Sequence, residues 1–260
     1  MPEAPEVAIM RDNLNKKFKN TFLTEINVIS DKYKDSIKQS LIKLNKQLPC
    51  QINQVYSKGK MLYILLSNDI YIVFRPMLTG YIGELTEALT TNYYDGAHFN
   101  PSNNRVEFIT SDGIFVINDS RNFHKLEIYT TESKLKTELN KLGVDLLTDF
   151  DKLTVSGFTD LICQYPNKDI CDLLIDQAII AGIGNYLRAE ILYDSKIHPL
   201  TKVKKLTDKQ IKDLYNSCIG IPHKVYELRK DYRYKVYGTK DYIEKAGRKV
   251  WYNKSIQLIQ

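Results

Sequence analysis

A chain of 260 residues, 43% hydrophobic and 26% charged, is long enough to bury a substantial core and is expected to form two domains. Its net charge of +6 and pI near 8.9 lean toward a polyanionic partner. No apolar stretch is long enough for a membrane span, and Glu3 and Glu6 stand where the basic region of a signal peptide would lie. The four cysteines, Cys50, Cys163, Cys171 and Cys218, share no metal-ligand spacing. These features exclude a membrane protein, a secreted protein and a thiolate metal centre, and point to an intracellular chain with reduced, buried thiols, no metal and no cofactor.

The chain opens Met1-Pro2-Glu3-Ala4-Pro5-Glu6-Val7. Once Met1 is trimmed, Pro2 carries a free secondary amine, which attacks an aldehyde-like carbon to give an iminium that is cationic without further protonation. Glu3, its covalent neighbour, is then a general acid or base. The alternative is that Pro2 and Pro5 only start a helix, since proline fits the first turn. Val7, Met10, Leu14 and Phe18 recur at helical spacing and predict a first helix running from Pro5, with its positive end toward the Pro2 amine.

From about Thr24 to Tyr129 the pattern predicts short strands: Ile26 to Ile29, Met61 to Leu66, Ile70 to Phe74, Val106 to Ile109, Ile114 to Ile117 and Leu126 to Tyr129. Turn stretches such as Ser67-Asn68-Asp69 and Ser111-Asp112-Gly113 lie between them. This reads as a sandwich or barrel. After the polar joint Thr130-Thr131-Glu132-Ser133 the helical period returns, with segments near 133–142, 158–165, 169–180, 185–194 and 207–219. Tyr232 to Gln260, rich in Tyr, Lys and Arg, reads as two short strands around a turn.

Within the helical half, Gly182-Ile183-Gly184-Asn185-Tyr186-Leu187-Arg188-Ala189-Glu190-Ile191-Leu192-Tyr193 places two glycines before a helix start. Glycines permit close backbone approach, and exposed N–H groups beside Asn185 would suit a phosphate. A tight inter-helix turn capped by Asn185 is the equal alternative.

The opening hexapeptide and this glycine run together resemble the formamidopyrimidine-DNA glycosylase and endonuclease VIII (Fpg/Nei) family. The resemblance continues in order through Lys58-Gly59-Lys60, Leu78-Thr79-Gly80, Asp119-Ser120-Arg121-Asn122-Phe123, Leu142-Gly143-Val144-Asp145, Asp176-Gln177, Ile197-His198-Pro199 and Gly247-Arg248. It implies an α+β fold: an N-terminal β-sandwich with a leading helix over residues 1–130, a helix-two-turn-helix domain over 131–224, and a terminal hairpin over 225–260, with damaged DNA bound in the cleft between the domains.

Residue by residue, the resemblance makes Pro2 the nucleophile at the sugar C1′ and Glu3 the proton handler at the opening ring. Lys60 becomes a phosphate contact and proton donor in β-elimination. Asn185 becomes a DNA contact, and Glu6 joins that set. Such chemistry requires a flipped nucleotide. Arg121 and Phe123 then match a void-filling loop, in which an arginine meets the orphaned base and an aromatic wedge holds the kink. The third filler falls on Leu78 where relatives commonly have methionine, with Met77 just before it. Asn122 and His124 stand where relatives often have Arg and Gly, which leaves the opposite-base preference open. For Phe123 and Leu78 the residue-level alternative is ordinary core packing.

No cysteine follows Cys218, so the four-cysteine finger of most relatives cannot form. Ala246-Gly247-Arg248-Lys249-Val250-Trp251-Tyr252 resembles instead the zincless hairpin of the Nei-like branch, in which Arg248 reaches the phosphate beside the lesion. The resemblance implies a monomeric bifunctional glycosylase and lyase acting on oxidised bases, pyrimidines above all. A DNA-binding protein with a blocked proline and a small-molecule enzyme with an N-terminal proline remain the alternatives.

Overall fold

The computed structural model describes residues 2–30, 35–86, 99–149 and 152–259. Their backbone contacts divide into two units, one of Glu6–Asn140 with the first two residues, the other of Lys141–Gln260 with Glu3–Pro5.

In the first unit, helix α1 (Ala4–Phe18) precedes strand β1 (Phe22–Val28), helix α2 (Asp35–Asn45) and strands β2 (Cys50–Lys58), β3 (Met61–Leu66), β4 (Tyr71–Arg75), β5 (Tyr81–Glu84), β6 (Asn104–Thr110), β7 (Gly113–Asn118) and β8 (Lys125–Tyr129), followed by helix α3 (Glu132–Leu139). The strand order is β5-β7-β6-β1-β2-β3-β4-β8. β1 meets β2 only through Phe22↔Gln51 and Leu23↔Cys50, so the ribbon folds there into two four-stranded layers. Leu23, Ile26, Val106, Phe108, Phe115 and Ile117 of one layer and Ile52, Val55, Leu62, Ile64, Ile72, Phe74 and Leu126 of the other share one core, completed by Val7, Met10, Leu14 and Phe18 of α1. This is the expected β-sandwich with its leading helix.

The apolar stripe of α1 is what the sequence spacing required. Its polar edge is used as well: Asn15 pairs through both amide atoms with the backbone of Val55 (2.7 and 2.9 Å), which fixes the helix against β2.

The second unit contains a two-residue strand β9 (Val144–Asp145), helices α4 (Val155–Cys163) and α5 (Ile170–Leu174), strand β10 (Ile180–Ala181), helices α6 (Asn185–Asp194) and α7 (Asp208–Leu228), and a hairpin of β11 (Tyr242–Lys245) and β12 (Arg248–Trp251). Its separate core gathers Phe158, Ile162, Leu173, Leu174, Ile183, Leu187, Ile191, Leu214, Cys218 and Val250. Thr207 and Gln210 form a reciprocal capping box at the start of α7, which satisfies two orphan N–H groups.

Two expectations need correction. The helix expected over 169–180 stops at Leu174, because the Gln177 amide takes over the backbone: it donates to Ile175 and Ile183 carbonyls (2.8 and 2.9 Å) and accepts from Gly182 N–H (3.0 Å), converting the rest into a loop and β10. Cys163 is exposed rather than buried, because α4 turns Phe158 and Ile162 inward and leaves residue 163 on its outer face. Cys50, Cys171 and Cys218 are buried, and burial pushes the Cys171 thiol up to about 12.

Candidate active site and nucleic-acid interface

Glu3 is buried, and its carboxylate accepts N–H bonds from Gly184 (2.6 Å), Tyr186 (3.0 Å) and Leu187 (3.2 Å), the first turn of α6. A helix N-terminus holds partial positive charge and orphan donors, so it is a natural seat for a carboxylate. Gly184 is required for a second reason: a Cβ there would overlap the Glu3 carboxyl group. Ala4 N–H adds a bond to the Gly182 carbonyl (3.1 Å). The double-glycine run is therefore the cradle of residues 3 and 4, and the expectation that these N–H groups stand exposed for a phosphate is corrected, since Glu3 occupies them.

Asn185 begins α6 half-buried, and its Oδ1 accepts from Arg188 Nη2 (3.1 Å). Arg188 is buried and donates also to the Lys249 carbonyl on β12 (3.2 Å). Burial lowers its pKa, against the opposing pull of Cys171, Asp172 and Glu3. One guanidinium thus connects the Asn185 side chain to the hairpin that carries Arg248. The hairpin turns through Ala246 (φ 48°) and Gly247 (φ 70°), the two positive-φ positions that a tight two-residue turn demands, and leaves Arg248 exposed at its tip.

The turn end is tied down by Lys245, opposite Arg248 in the register, which pairs with Asp169 and with Asp172 (2.6 Å), and Asp169 also holds Lys202 (2.6 Å). Val250 is fully buried and Trp251 packs edge-on to Tyr237, 4.4 Å between centroids. Behind it Glu190 accepts from Tyr232 Oη (3.2 Å) and from the N–H groups of Lys235, Val236 and Tyr237 (2.8–2.9 Å).

In the sandwich unit, Lys60 sits beside Gly59 (φ 54°) in the two-residue turn between β2 and β3, partly exposed. Pro2 is buried, and so is Glu6 on α1.

The segment 119–124 converges on Asp119. Its buried carboxylate accepts from Arg121 N–H (3.1 Å), Phe123 N–H (2.8 Å), His124 N–H (2.9 Å), His124 Nδ1 (2.9 Å) and the Thr79 hydroxyl. Burial alone would raise the Asp119 pKa, but the bonds from His124 and Thr79 win and hold it well below the usual carboxylate range. The result is a loop that exposes what it would ordinarily hide: Phe123 is 56% exposed, and Leu78 and Met77 are 36% and 42% exposed. Core packing is thereby ruled out for Phe123 and Leu78.

Sequence reading gives no role to Thr79, Asp119, Arg188 or Glu190. The signal available for all four was their place inside or beside motif segments without a surface function of their own.

Two family models cover the chain. The formamidopyrimidine-DNA glycosylase N-terminal domain matches residues 1–126, and the formamidopyrimidine-DNA glycosylase H2TH domain matches 142–231. The formamidopyrimidine-DNA glycosylase of Mycoplasma genitalium is 32% identical over 235 residues, covering 88% of this chain and 76% of that protein. The chain belongs to the Fpg/Nei family of DNA glycosylases. Endonuclease 8 of Salmonella arizonae is 28% identical over 241 residues, covering 88% of this chain and 81% of its own. The structure of Lactococcus lactis formamidopyrimidine-DNA glycosylase bound to DNA containing an abasic site has the same fold, with a TM-score of 0.82, 23% identity and coverage of 98% and 99% of the two chains. The Fpg/Nei assignment makes this chain a DNA-binding base-excision repair glycosylase with a β-sandwich and a helix-two-turn-helix domain. Among the described residues no helix is long and apolar enough to cross a membrane.

Proposed function

We propose that the chain is a bifunctional DNA glycosylase and lyase that removes oxidised bases through a Schiff base on Pro2. The observation that carries the reading is the seat of Glu3. Three backbone N–H groups and a glycine with no room for a side chain fix the residue covalently attached to the nucleophile, so the amine and its proton handler are positioned together.

In the reaction, the Pro2 amine forms a bond to C1′ as the glycosidic bond breaks and the base leaves with a proton. Glu3 manages the proton at O4′ as the C1′–O4′ bond opens, leaving a C1′ iminium. Loss of a C2′ proton then expels the 3′-phosphate, loss of the C4′ proton expels the 5′-phosphate, and water releases the sugar fragment. Lys60 holds phosphate and serves the first elimination. Arg248 holds the phosphate beside the lesion and serves the second. Asn185, steadied by Arg188, is a further DNA contact. Leu78, Arg121 and Phe123 fill the space left by the flipped nucleotide, and their exposure suits that task.

Oxidised pyrimidines are the proposed principal substrates, with hydantoins and formamidopyrimidines beside them. Relatives named Endonuclease 8 support this, as does a solved L. lactis complex whose DNA contains an oxidised pyrimidine, at 22% identity and a TM-score of 0.81. The finger is proposed to work without zinc, its hairpin held by Val250, Trp251 and the Lys245 ion pairs.

Borohydride trapping on duplexes carrying a panel of oxidised bases tests the reading. Untagged protein with Met1 removed is expected to form a covalent adduct, and protein with a blocked Pro2 amine is expected to bind DNA without trapping. Equal trapping by both would overturn the Pro2 mechanism. Arg248→Ala is expected to slow trapping with every opposite base alike. Arg121→Ala is expected to reorder the four opposite bases by about tenfold, the worth of a bidentate base contact.

A further inference from the structure

We propose that Thr79 is a positioning residue that makes the two apolar tips of the sandwich unit act as one wedge. The inference rests on the wedge role given above to Leu78, Arg121 and Phe123. The tips come from separate parts of the chain, the Pro76–Gly80 turn and the Asp119–His124 loop; the pairs Arg75↔Lys125 and Tyr81↔Asn118 bring their ends together, while the tips themselves lie beyond the strand register. Two observations bring them together. The Thr79 hydroxyl donates to the same carboxylate that gathers the N–H groups of Arg121, Phe123 and His124, and it also lies 3.4 Å from Arg121 N–H. Gly80 packs against the second loop so closely that a Cβ there would lie 3.0 Å from His124 Cβ.

The first tip needs such support. Met77 (φ 58°) holds left-handed backbone, which such a residue keeps only where the surroundings over-determine it, while Asn122 (φ 54°) takes the same conformation at little cost. The buried Asp119–His124 pair lies beneath the exposed side chains and supplies that constraint. A loop ordered before DNA arrives has less entropy to lose on insertion. With Thr79 joined to it, ordering one tip orders the other. Leu78 and Phe123 therefore enter the duplex as a unit, and the position of Arg121 toward the orphaned base depends on a hydroxyl that touches no DNA.

The test is a double-mutant cycle. Single-turnover excision from duplex DNA is measured for Leu78→Ala, Phe123→Ala and the pair, in the natural sequence and with Thr79→Val, Thr79→Ala or Thr79→Ser added. Trapping on single-stranded abasic DNA normalises each variant for its nucleophile chemistry. The natural sequence is expected to show a coupling of at least ~threefold between the two alanine changes, the scale of groups in one hydrogen-bonded network. Thr79→Val should reduce that coupling to within about 1.5-fold and reorder the opposite bases, and Thr79→Ser should restore both. Thr79→Ala, which deletes the hydroxyl without adding a second methyl, gives the same reading if Thr79→Val does not fold.

Absence of coupling in the natural sequence, or undiminished coupling without the Thr79 hydroxyl, overturns the proposal while leaving the wedge itself intact. If Leu78→Ala and Phe123→Ala each leave duplex excision unchanged, the wedge reading falls, and this proposal with it.

Discussion

Asp119 in the sandwich unit and Glu190 in the helical unit are both buried carboxylates that gather N–H groups of a loop, Arg121, Phe123 and His124 of its own segment for Asp119 and the consecutive Lys235, Val236 and Tyr237 for Glu190, yet the loops differ in what they expose. Around Asp119 the N–H groups turn inward and the side chains of Arg121 and Phe123 turn out to solvent. Around Glu190 the rings of Tyr232, Tyr234 and Tyr237 pack on one another and on Tyr186 and Trp251, with centroids 4.4–6.1 Å apart. Burial and the Glu190 carboxylate raise the Tyr232 hydroxyl pKa, so this ring stays a neutral donor. An acceptor-only anion can organise a loop irrespective of its side chains, and the side chains then decide whether the loop becomes a tool or a clamp.

The comparison breaks first if Glu190 is not the stronger structural support. Glu190→Gln replaces an oxygen that accepts two bonds with an NH₂ group facing N–H donors. Denaturant unfolding is expected to show a loss of about 3 kcal/mol, as for buried charged hydrogen bonds left unmade. A loss under about 1 kcal/mol would mean that the aromatic cluster holds the hairpin unaided.

A third carboxylate sharpens the contrast, because Glu3 is gathered by a helix start rather than by a loop. Gly184→Ala pushes a methyl into its carboxyl group. Excision is expected to fall by about a hundredfold, the consequence of a displacement on the order of 1 Å at a reacting centre. A circular dichroism spectrum and melting profile near the natural ones would show that the loss is local.

The smallest expected effect is an acid one. The folded-state pKa of Asp119 lies below its unfolded value, so its contribution to stability is complete above the ordinary aspartate pKa of ~3.9 and is lost as pH falls below it. The stability difference between the natural protein and Asp119→Asn should therefore narrow as pH falls from about 4 toward 2. A difference that widens with acid would mean that another group dominates the loop.

Much of this was legible in the residues. Short β-rich runs mark β3, β4, β6, β7 and β8. β2 escapes notice because a register shift between Ile52 and Gln54 interrupts its alternation, and β5 because Tyr81–Glu84 is four residues long and contains a glycine. Helix α2 carries Ile37, Leu41 and Leu44 at helical spacing, obscured by its lysines and polar residues. In the site, the glycine-Asn run was visible, but its partner was not. Nothing local to residue 3 says that its carboxylate will meet residues 184–187, since the pairing is set by the space left over Gly184. Asp119 was hidden for the opposite reason: its five bonds go mostly to its own neighbours, and a sequence shows their proximity but not their convergence.

The seat of Glu3 also orders events in time. The partners of its carboxylate lie 181 to 184 residues further along the chain. A ribosome moving at ~5–20 residues per second takes roughly 10–40 s to make that stretch, and closing so long a loop carries an entropy cost that local structure does not share. The N-terminal peptide therefore stays undocked through most of synthesis, within reach of the aminopeptidase whose removal of Met1 the proposed Pro2 mechanism requires. On the proposed mechanism the nucleophile is unmasked early, and its neighbour Glu3 is fixed late, once the start of α6 has been made.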